Sequence, residues 1–458
     1  MTTPTYKTLN PATGEVVHDW GIFDQQAADA ALNRAHVAFE EWRRVPIAEK
    51  TKCFEKVAEL IDERTPELAK QTSIEMGKPL AEATAEAGIA SSMFRYYAER
   101  AEKLLADEVV EVPGLSRTVI RREPIGVVLG IEPWNAPLFQ AMRATAPNLM
   151  LGNTVVVKPA NICAGSTLMF DELFRQAGFP DGAYQTVLLT RDQASDYIAD
   201  PRVRAVTLTG SDAAGALVGE QAGKHIKPVV LELGGSDACV VLDSADVAKA
   251  AGISSACRLI FGGQACALPK RVIVTEKVAD EFIAHYVAAF QNQVLGDPLA
   301  EGTTIGPLSS ESAAITLQEQ LDDAIARGAT VLEKGGRIDG PGFFFKPAVL
   351  TDITTEMRLY HEEAFGPIGV IYRVPDADAA IALANDTKYG LGGVVFGEDL
   401  EEARYVAERL DTGGVGINMF LGAPVEIPFG GTKASGVGRE LGTTGMDQFA
   451  NIKTYGEA

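Results

Sequence analysis

Cys266 lies in "RLIFGGQACALPKR" (258–271), among glycines rather than inside an apolar run. A cysteine is more often a buried small hydrophobe than a nucleophile. Cys53, Cys163, Cys239 and Cys257, each in or beside an apolar stretch, take that reading. A nucleophilic thiol needs a base and an oxyanion site, so the other glycine-rich turns were searched for both. Glu232 in "VVLELGGSDACVV" sits at an apolar strand two residues before Gly234-Gly235. A carboxylate there must be paired, protonated or open to a cleft, and the glycines allow close backbone approach. It is a candidate general base. Asn135 in "EPWNAP" either caps a helix or offers its amide to an oxyanion. Lys158 in "VVVKPAN" is a solvated lysine or a ligand for ribose or phosphate. Gly210 and Ser211 in "TLTGSDAAG" open a helix whose free N–H groups suit an anion, with spacing G-S-x-x-x-G. Two later turns, "HEEAFGPIGV" and "IPFGGTKASGVGRELG", carry Glu363, Phe365 and Phe429.

These turns need strands to present them. Residues 24–106 read as helices, with Phe54, Val57, Leu60 and Ile61 on one face and a stop at Gly77 and Pro79. "SRTVIRREPIGVVLGI" reads as a half-exposed strand followed by a buried one. The apolar runs "GVVLGI", "TVVV", "YQTVLL", "AVTLTG" and "PVVLEL" then alternate with helices. That alternation predicts a parallel sheet covered on both faces, with ligands at the carboxyl ends of its strands. A second α/β series follows Cys266, with strands at "RVIV", "GPIGVIYRV", "GGVVFG" and "GVGIN" and a short alternating tail "FANIKTYGEA".

The chain has 458 residues, too many for one hydrophobic core. A net charge of −21 opposes a polyphosphate partner, so no nucleic acid is expected. The start "MTTPTYKTLNPATGEV" has no charged-then-apolar pattern, and no apolar run reaches the roughly 18 residues of a membrane span. A cytoplasmic protein without a membrane partner is expected. Five scattered cysteines and five histidines, without CxxC, give no disulfide framework and no metal site. No G-x-S-x-G elbow supports a serine hydrolase.

P-W-N, K-P, T-G-S-x-x-x-G, E-L-G-G, G-Q-x-C, E-E-x-F-G-P and P-F-G-G-x-K-x-S-G-x-G-R-E occur in that order. This series, from "NPATGEV" to "NIKTYGE", resembles the aldehyde dehydrogenase superfamily over almost the whole chain. The resemblance implies an α/β fold with a parallel-sheet cofactor domain (1–105 and 125–232), an α/β catalytic domain (233–440) and a small β oligomerisation arm (106–124 and 441–458). The arm strand and the tail are expected to pair with a neighbouring subunit in a homodimer or homotetramer. The resemblance makes Cys266 the nucleophile, Asn135 an oxyanion donor and Glu232 the base that activates water. Lys158, Asn161, Gly210, Ser211, Leu233, Trp134, Glu363 and Phe365 would contact a nicotinamide dinucleotide, and Phe429 the substrate. Asn161 stands where many NAD-preferring members have a glutamate, and does not repel a 2′-phosphate, so NADP is expected ahead of NAD. Ala160 removes one phosphate donor, Phe261-Gly262-Gly263 replaces a more usual Asn-Ala-Gly, and Leu268 removes a redox partner cysteine.

Arg143, nine residues after Trp134, resembles the substrate arginine of the succinate-semialdehyde dehydrogenases, where a guanidinium suits a carboxylate. A second arginine of some such enzymes is Ile260 here, with Arg258 nearby but out of register. Oxidation of succinate semialdehyde is the expected reaction. An aldehyde dehydrogenase for another small or aromatic aldehyde, or a non-catalytic protein on the same fold, are the alternatives.

Overall fold

The computed structural model describes residues 5–458. Residues 1–4, with which the 1–105 segment begins, lie outside the described residues. Two large sheets meet at the turns singled out above. The first has six strands in the order Gly436–Val437, Val229–Glu232, Val203–Thr209, Val127–Ile131, Thr154–Lys158 and Tyr184–Thr186. All neighbours are parallel except the Gly436–Val437 edge. Helices Pro137–Leu151, Ala164–Gln176, Arg191–Ala199 and Asp212–Lys224 connect its strands. The strand interiors are buried, as expected where helices cover both faces.

Four N-terminal helices, Gln25–Trp42, Ile47–Glu63, Thr65–Met76 and Leu80–Leu104, pack around this sheet. Gly77 ends the third with φ +85°, the left-handed conformation glycine adopts without strain. The second sheet has seven strands in the order Thr330–Glu333, Ala348–Thr351, Ile368–Val374, Pro269–Thr275, Asp237–Val241, Gly392–Phe396 and Gly414–Ile417. The chain crosses between the sheets through Leu233–Ser236, directly after Glu232.

Two features differ from the sequence reading, and a third adds to it. Gly436–Val437, inside the 233–440 segment, belongs to the first sheet, with Gly436 opposite Glu232. A two-residue edge strand is too short to leave an alternating pattern. The tail strand Ala450–Glu457 pairs over its whole length with Arg117–Pro124 of its own chain. Its hydrogen bonds on that side are thereby used, and the opposite edge is unpaired within the chain. A hairpin of Tyr6–Asn10 and Glu15–Gly21, and the strands Asp237–Val241, Thr330–Glu333 and Ala348–Thr351, were not foreseen. They are short and lack apolar–polar alternation.

Candidate active site

The site lies where the carboxyl ends of the first sheet's strands face the amino ends of the second's. Asn135 follows the Val127–Ile131 strand and is buried. It does not cap the next helix: the cap position is Ala136, without a side-chain hydrogen bond. Glu86 does that work instead. Its Oε1 accepts from the backbone N–H of Leu138 at 2.7 Å and of Phe139 at 2.9 Å, while Oε2 takes Lys78 Nζ at 2.5 Å. A carboxylate at a helix N-terminus satisfies orphan donors and opposes the macrodipole. Asn135 is thus left without a side-chain partner among the described residues and borders a cavity of about 380 Å³.

Cys266 borders the same cavity. Its loop is fixed from several sides. Arg258, fully buried, donates to the carbonyls of Ile368, Ala364, Gly366 and Gly263. That explains why it is out of register for substrate: it staples the Cys266 loop to the Glu363 loop. Gln264 donates to Phe261 O at 3.0 Å and accepts from Ser309 N at 2.9 Å. Phe261 takes φ +55°, unusual for a side chain of this size, and its N–H is held by the Glu82 carboxylate. Lys270 Nζ donates to Cys266 O at 2.5 Å and pairs with Glu363 Oε1 at 2.6 Å. Burial pushes the Cys266 thiol up to about 11, against the opposing pull of Lys270 and Arg143. The resting group is a thiol, and attack requires a proton acceptor.

Glu232 is buried with both carboxylate oxygens unpartnered. Burial holds its carboxyl well above the usual range; Arg143 opposes this and Glu440 adds to it. The space beside it is tight, since a Cβ on Gly430 would lie 2.3 Å from Glu232 Oε1. Glu232 does not line the 380 Å³ cavity itself. Arg143 does, and its guanidinium stands 4.9 Å from the ring of Phe429, also on the wall. Its Nε pairs with Glu440 and its Nη2 donates to Thr209 at 2.9 Å. The ion pair is buried, not on the surface. Glu440 also accepts from Thr207 at 2.8 Å. Glu132, another fully buried carboxyl with both oxygens unpartnered, is held far above the usual range by burial, with Glu440 adding and Arg143 opposing. The sequence reading missed Glu86, Lys78, Lys270, Glu132 and Glu440. "GRE" and "ALPKR" were visible as motif letters, but nothing marked their partners.

The residues expected to contact a dinucleotide divide into two groups. Trp134 and Phe365 meet edge to face at 5.6 Å, and with Glu363 they border a second cavity of about 300 Å³. Gly235 N donates to Glu363 at 3.3 Å, and a Cβ on Gly234 would reach Glu363 Oε2 at 2.7 Å, so this approach needs glycine. Lys158, Asn161, Gly210 and Ser211 lie at the ends of the Thr154–Lys158 and Val203–Thr209 strands. Ser211 caps its helix, accepting from Ala214 N at 3.3 Å. Leu233 packs against Gly215, where a Cβ would lie 2.5 Å from it. Lys158 is half-buried, and burial, with Arg191 nearby, lowers its ammonium to about 8. A lysine, a neutral Asn161 and a helix N-terminus as donors, with the glycine-lined Glu363 carboxylate as acceptor, make a polar set that fits a ribose-phosphate chain.

The aldehyde dehydrogenase family profile matches residues 1–455. The chain belongs to the aldehyde dehydrogenase family. Within it, the chain is 47% identical over 448 residues to a succinate-semialdehyde dehydrogenase [NADP(+)] of Deinococcus radiodurans, covering 98% of this chain and 94% of that protein. It is 41% identical over 449 residues to succinate-semialdehyde dehydrogenase [NADP(+)] 1 of Mycobacterium tuberculosis, covering 98% of each. The fold matches the crystal structure of the Streptococcus pyogenes succinic semialdehyde dehydrogenase in complex with NADP+ with a TM-score of 0.96 at 37% identity, over 98% of this chain and 99% of that one. The α/β fold of these relatives is the one expected from the ordered motifs.

Proposed function

We propose that this aldehyde dehydrogenase oxidises succinate semialdehyde to succinate with NADP+. The observation that carries the reading is one cavity of about 380 Å³ whose wall holds Cys266, Asn135 and Arg143 together. Relatives named for this substrate and cofactor support it. Cys266 forms a bond to the aldehyde carbon, and its thiol proton passes to Glu232, a carboxyl whose burial favours holding one. The Asn135 amide and the Cys266 N–H stabilise the oxyanion. The bound cofactor would supply the hydride acceptor, and Cys266 would then hold the acyl group as a thioester. Glu232 releases the thiol's proton to solvent and, as the carboxylate again, takes a proton from the water that hydrolyses the thioester and returns it to the departing Cys266 sulfur. Arg143 orients the far carboxylate. Lys158, Asn161, Gly210 and Ser211 hold the adenosine end; Trp134, Leu233, Glu363 and Phe365 hold the nicotinamide end. Residues 1–105 and 125–232 serve the cofactor and 233–440 the chemistry, apart from the edge strand noted above. The open edge of the 106–124 and 441–458 arm suits a homodimer or homotetramer, since exposed strand edges invite pairing. A cytoplasmic setting is the one we assign.

The test is steady-state oxidation of succinate semialdehyde and butanal, each with NADP+ and NAD+. Arg143→Gln is paired with Glu440→Gln so that no buried charge is left alone. The expected result is a loss of about 10²-fold in kcat/KM for the carboxylate substrate, with butanal changed far less. Equal losses on both substrates would remove Arg143 from substrate recognition. Loss of activity in Cys266→Ala with every aldehyde is required by the mechanism.

A further inference from the structure

Ser211 opens the helix Asp212–Lys224, and Glu363 borders the pocket of Trp134 and Phe365. Gly234 sits between them. A Cβ placed on it would lie 2.7 Å from Glu363 Oε2 and 3.0 Å from Asp212 Oδ1. One carboxylate belongs to a helix of the first sheet and the other to a loop of the second, so both converge on the crossing segment. A dinucleotide that reaches from Ser211 to Glu363 brings its pyrophosphate, itself an anion, onto this ground.

Asp212 works against that anion. Ser211 Oγ accepts from Ala214 N and Ser211 O from Gly215 N. The N–H groups of Asp212 and Ala213 are left without a partner among the described residues, as the first donors of a helix are. Such donors, with the helix dipole, suit a phosphate oxygen. A carboxylate in the same turn repels it.

Lys388 cancels that charge from the other side of the cleft. Its Nζ pairs with Asp212 Oδ2 at 2.6 Å, and Tyr389 donates its hydroxyl to the same oxygen at 3.1 Å. The lysine is placed by its backbone. Its carbonyl accepts from Ala434 N at 2.9 Å, and Gly390 N donates to Ser435 Oγ, which in turn donates to the Gly234 carbonyl at 2.6 Å. The pair itself is open to solvent, with side-chain exposures of 55% and 33%, and an exposed pair adds little to stability. A lysine ammonium has three donors. Asp212 takes one of them, and no other acceptor holds Lys388 Nζ among the described residues.

We propose that Lys388 is a further cofactor-affinity residue, which neutralises Asp212 and turns its remaining donors to the pyrophosphate. The inference rests on the dinucleotide reading above and adds a residue that lies outside every ordered motif.

The experiment is calorimetric titration of NADP+ into the whole enzyme prepared without cofactor, with the steady-state KM for NADP+ measured beside it. Lys388→Met weakens NADP+ binding about tenfold and raises the KM in step, with a smaller change in kcat. Lys388→Arg keeps the charge and stays within about threefold of the parent. Asp212→Asn removes the repelling carboxylate and frees Lys388, so it binds NADP+ at least as tightly as the parent. Added salt narrows the gap between the parent and Lys388→Met, because the pair is exposed. Equal weakening by Lys388→Met and Asp212→Asn makes the pair a clamp between the two sheets and overturns the inference. Unchanged binding in Lys388→Met overturns it as well. A parent enzyme that binds neither NADP+ nor NAD+ overturns the cofactor reading, and this inference with it.

Discussion

Glu86 is the side chain whose removal tests most directly how Asn135 is positioned. Its carboxylate and Lys78 are almost completely buried, with side-chain exposures of 2% and 0%. Glu86→Gln keeps the shape and one acceptor for the Leu138 and Phe139 N–H groups, but leaves the Lys78 ammonium without its counter-ion. Breaking a buried pair from one side costs about 3–5 kcal/mol. At about 2.1 cal/mol/K per residue, in a chain of 458 residues that corresponds to a fall in melting temperature of roughly 3–5 °C. Lys78→Met added to Glu86→Gln removes the stranded charge and should return most of the loss. Thermal unfolding of parent, single and double variants, followed by near-ultraviolet circular dichroism, reads this out. The helix start also sets Asn135, so an ångström of displacement costs the single variant about 10²-fold in kcat even where it is fully folded. A single variant melting within about 2 °C of the parent, or a double variant less stable than the single, would refute the capping argument.

Asn135→Ala should lower kcat/KM by about 10²–10³ while leaving the alkylation rate of Cys266 unchanged; a parallel fall in alkylation would mean that the amide shapes the loop instead. Because burial raises the Cys266 thiol to about 11, its thiolate is scarce at neutral pH and grows until the pH passes that value. Iodoacetamide labelling of the cofactor-free enzyme should climb about tenfold per pH unit between about pH 7 and 10. Lys270→Met, which removes the opposing positive charge, should slow it further at fixed pH; a flat profile over that range would contradict the burial argument. Gly430→Ala places a methyl 2.3 Å from Glu232 Oε1 at a residue with φ +150°. Its expected signature is a burst of reduced cofactor followed by slow turnover, with kcat down at least about tenfold. An unchanged kcat would detach Glu232 from thioester hydrolysis.

The parallel sheet was legible because five apolar runs alternate with helices at regular spacing. Cys266 and Glu232 stood out as polar residues beside glycines and Asn135 as a polar residue in a Pro-rich turn, and the ordered motifs joined them. What stayed hidden has a common physical cause. Glu86 lies mid-helix in "AEATAEAGIA", where a glutamate is ordinary, and its capping partner Leu138 is 52 residues away. Arg258 looks like a basic residue in the last turn of a helix, yet it serves four carbonyls contributed by two loops. The tail's alternation predicted a strand correctly, but alternation carries no information about which chain supplies the partner.

The carboxyl cluster extends this point into a measurement. Glu132, Glu232 and Glu440, read singly, are strand-end or turn residues. Sheet register makes them neighbours: Gly130, over which Glu132 Oε1 folds, stands opposite Thr207; Thr207 donates to Glu440; Thr209 stands opposite Glu232 and accepts from Arg143. One guanidinium thus faces three carboxyls in a space where an uncompensated charge is costly. A proton held at one of them changes what the others must bear, so their effects are not independent. Glu132→Gln and Glu440→Gln should therefore be non-additive in a double-variant cycle on stability, with a coupling of about 0.5–3 kcal/mol. Additive behaviour within about 0.3 kcal/mol would mean that Glu132 is insulated from the Arg143–Glu440 pair, and that its unpartnered oxygens are a private cost of the fold.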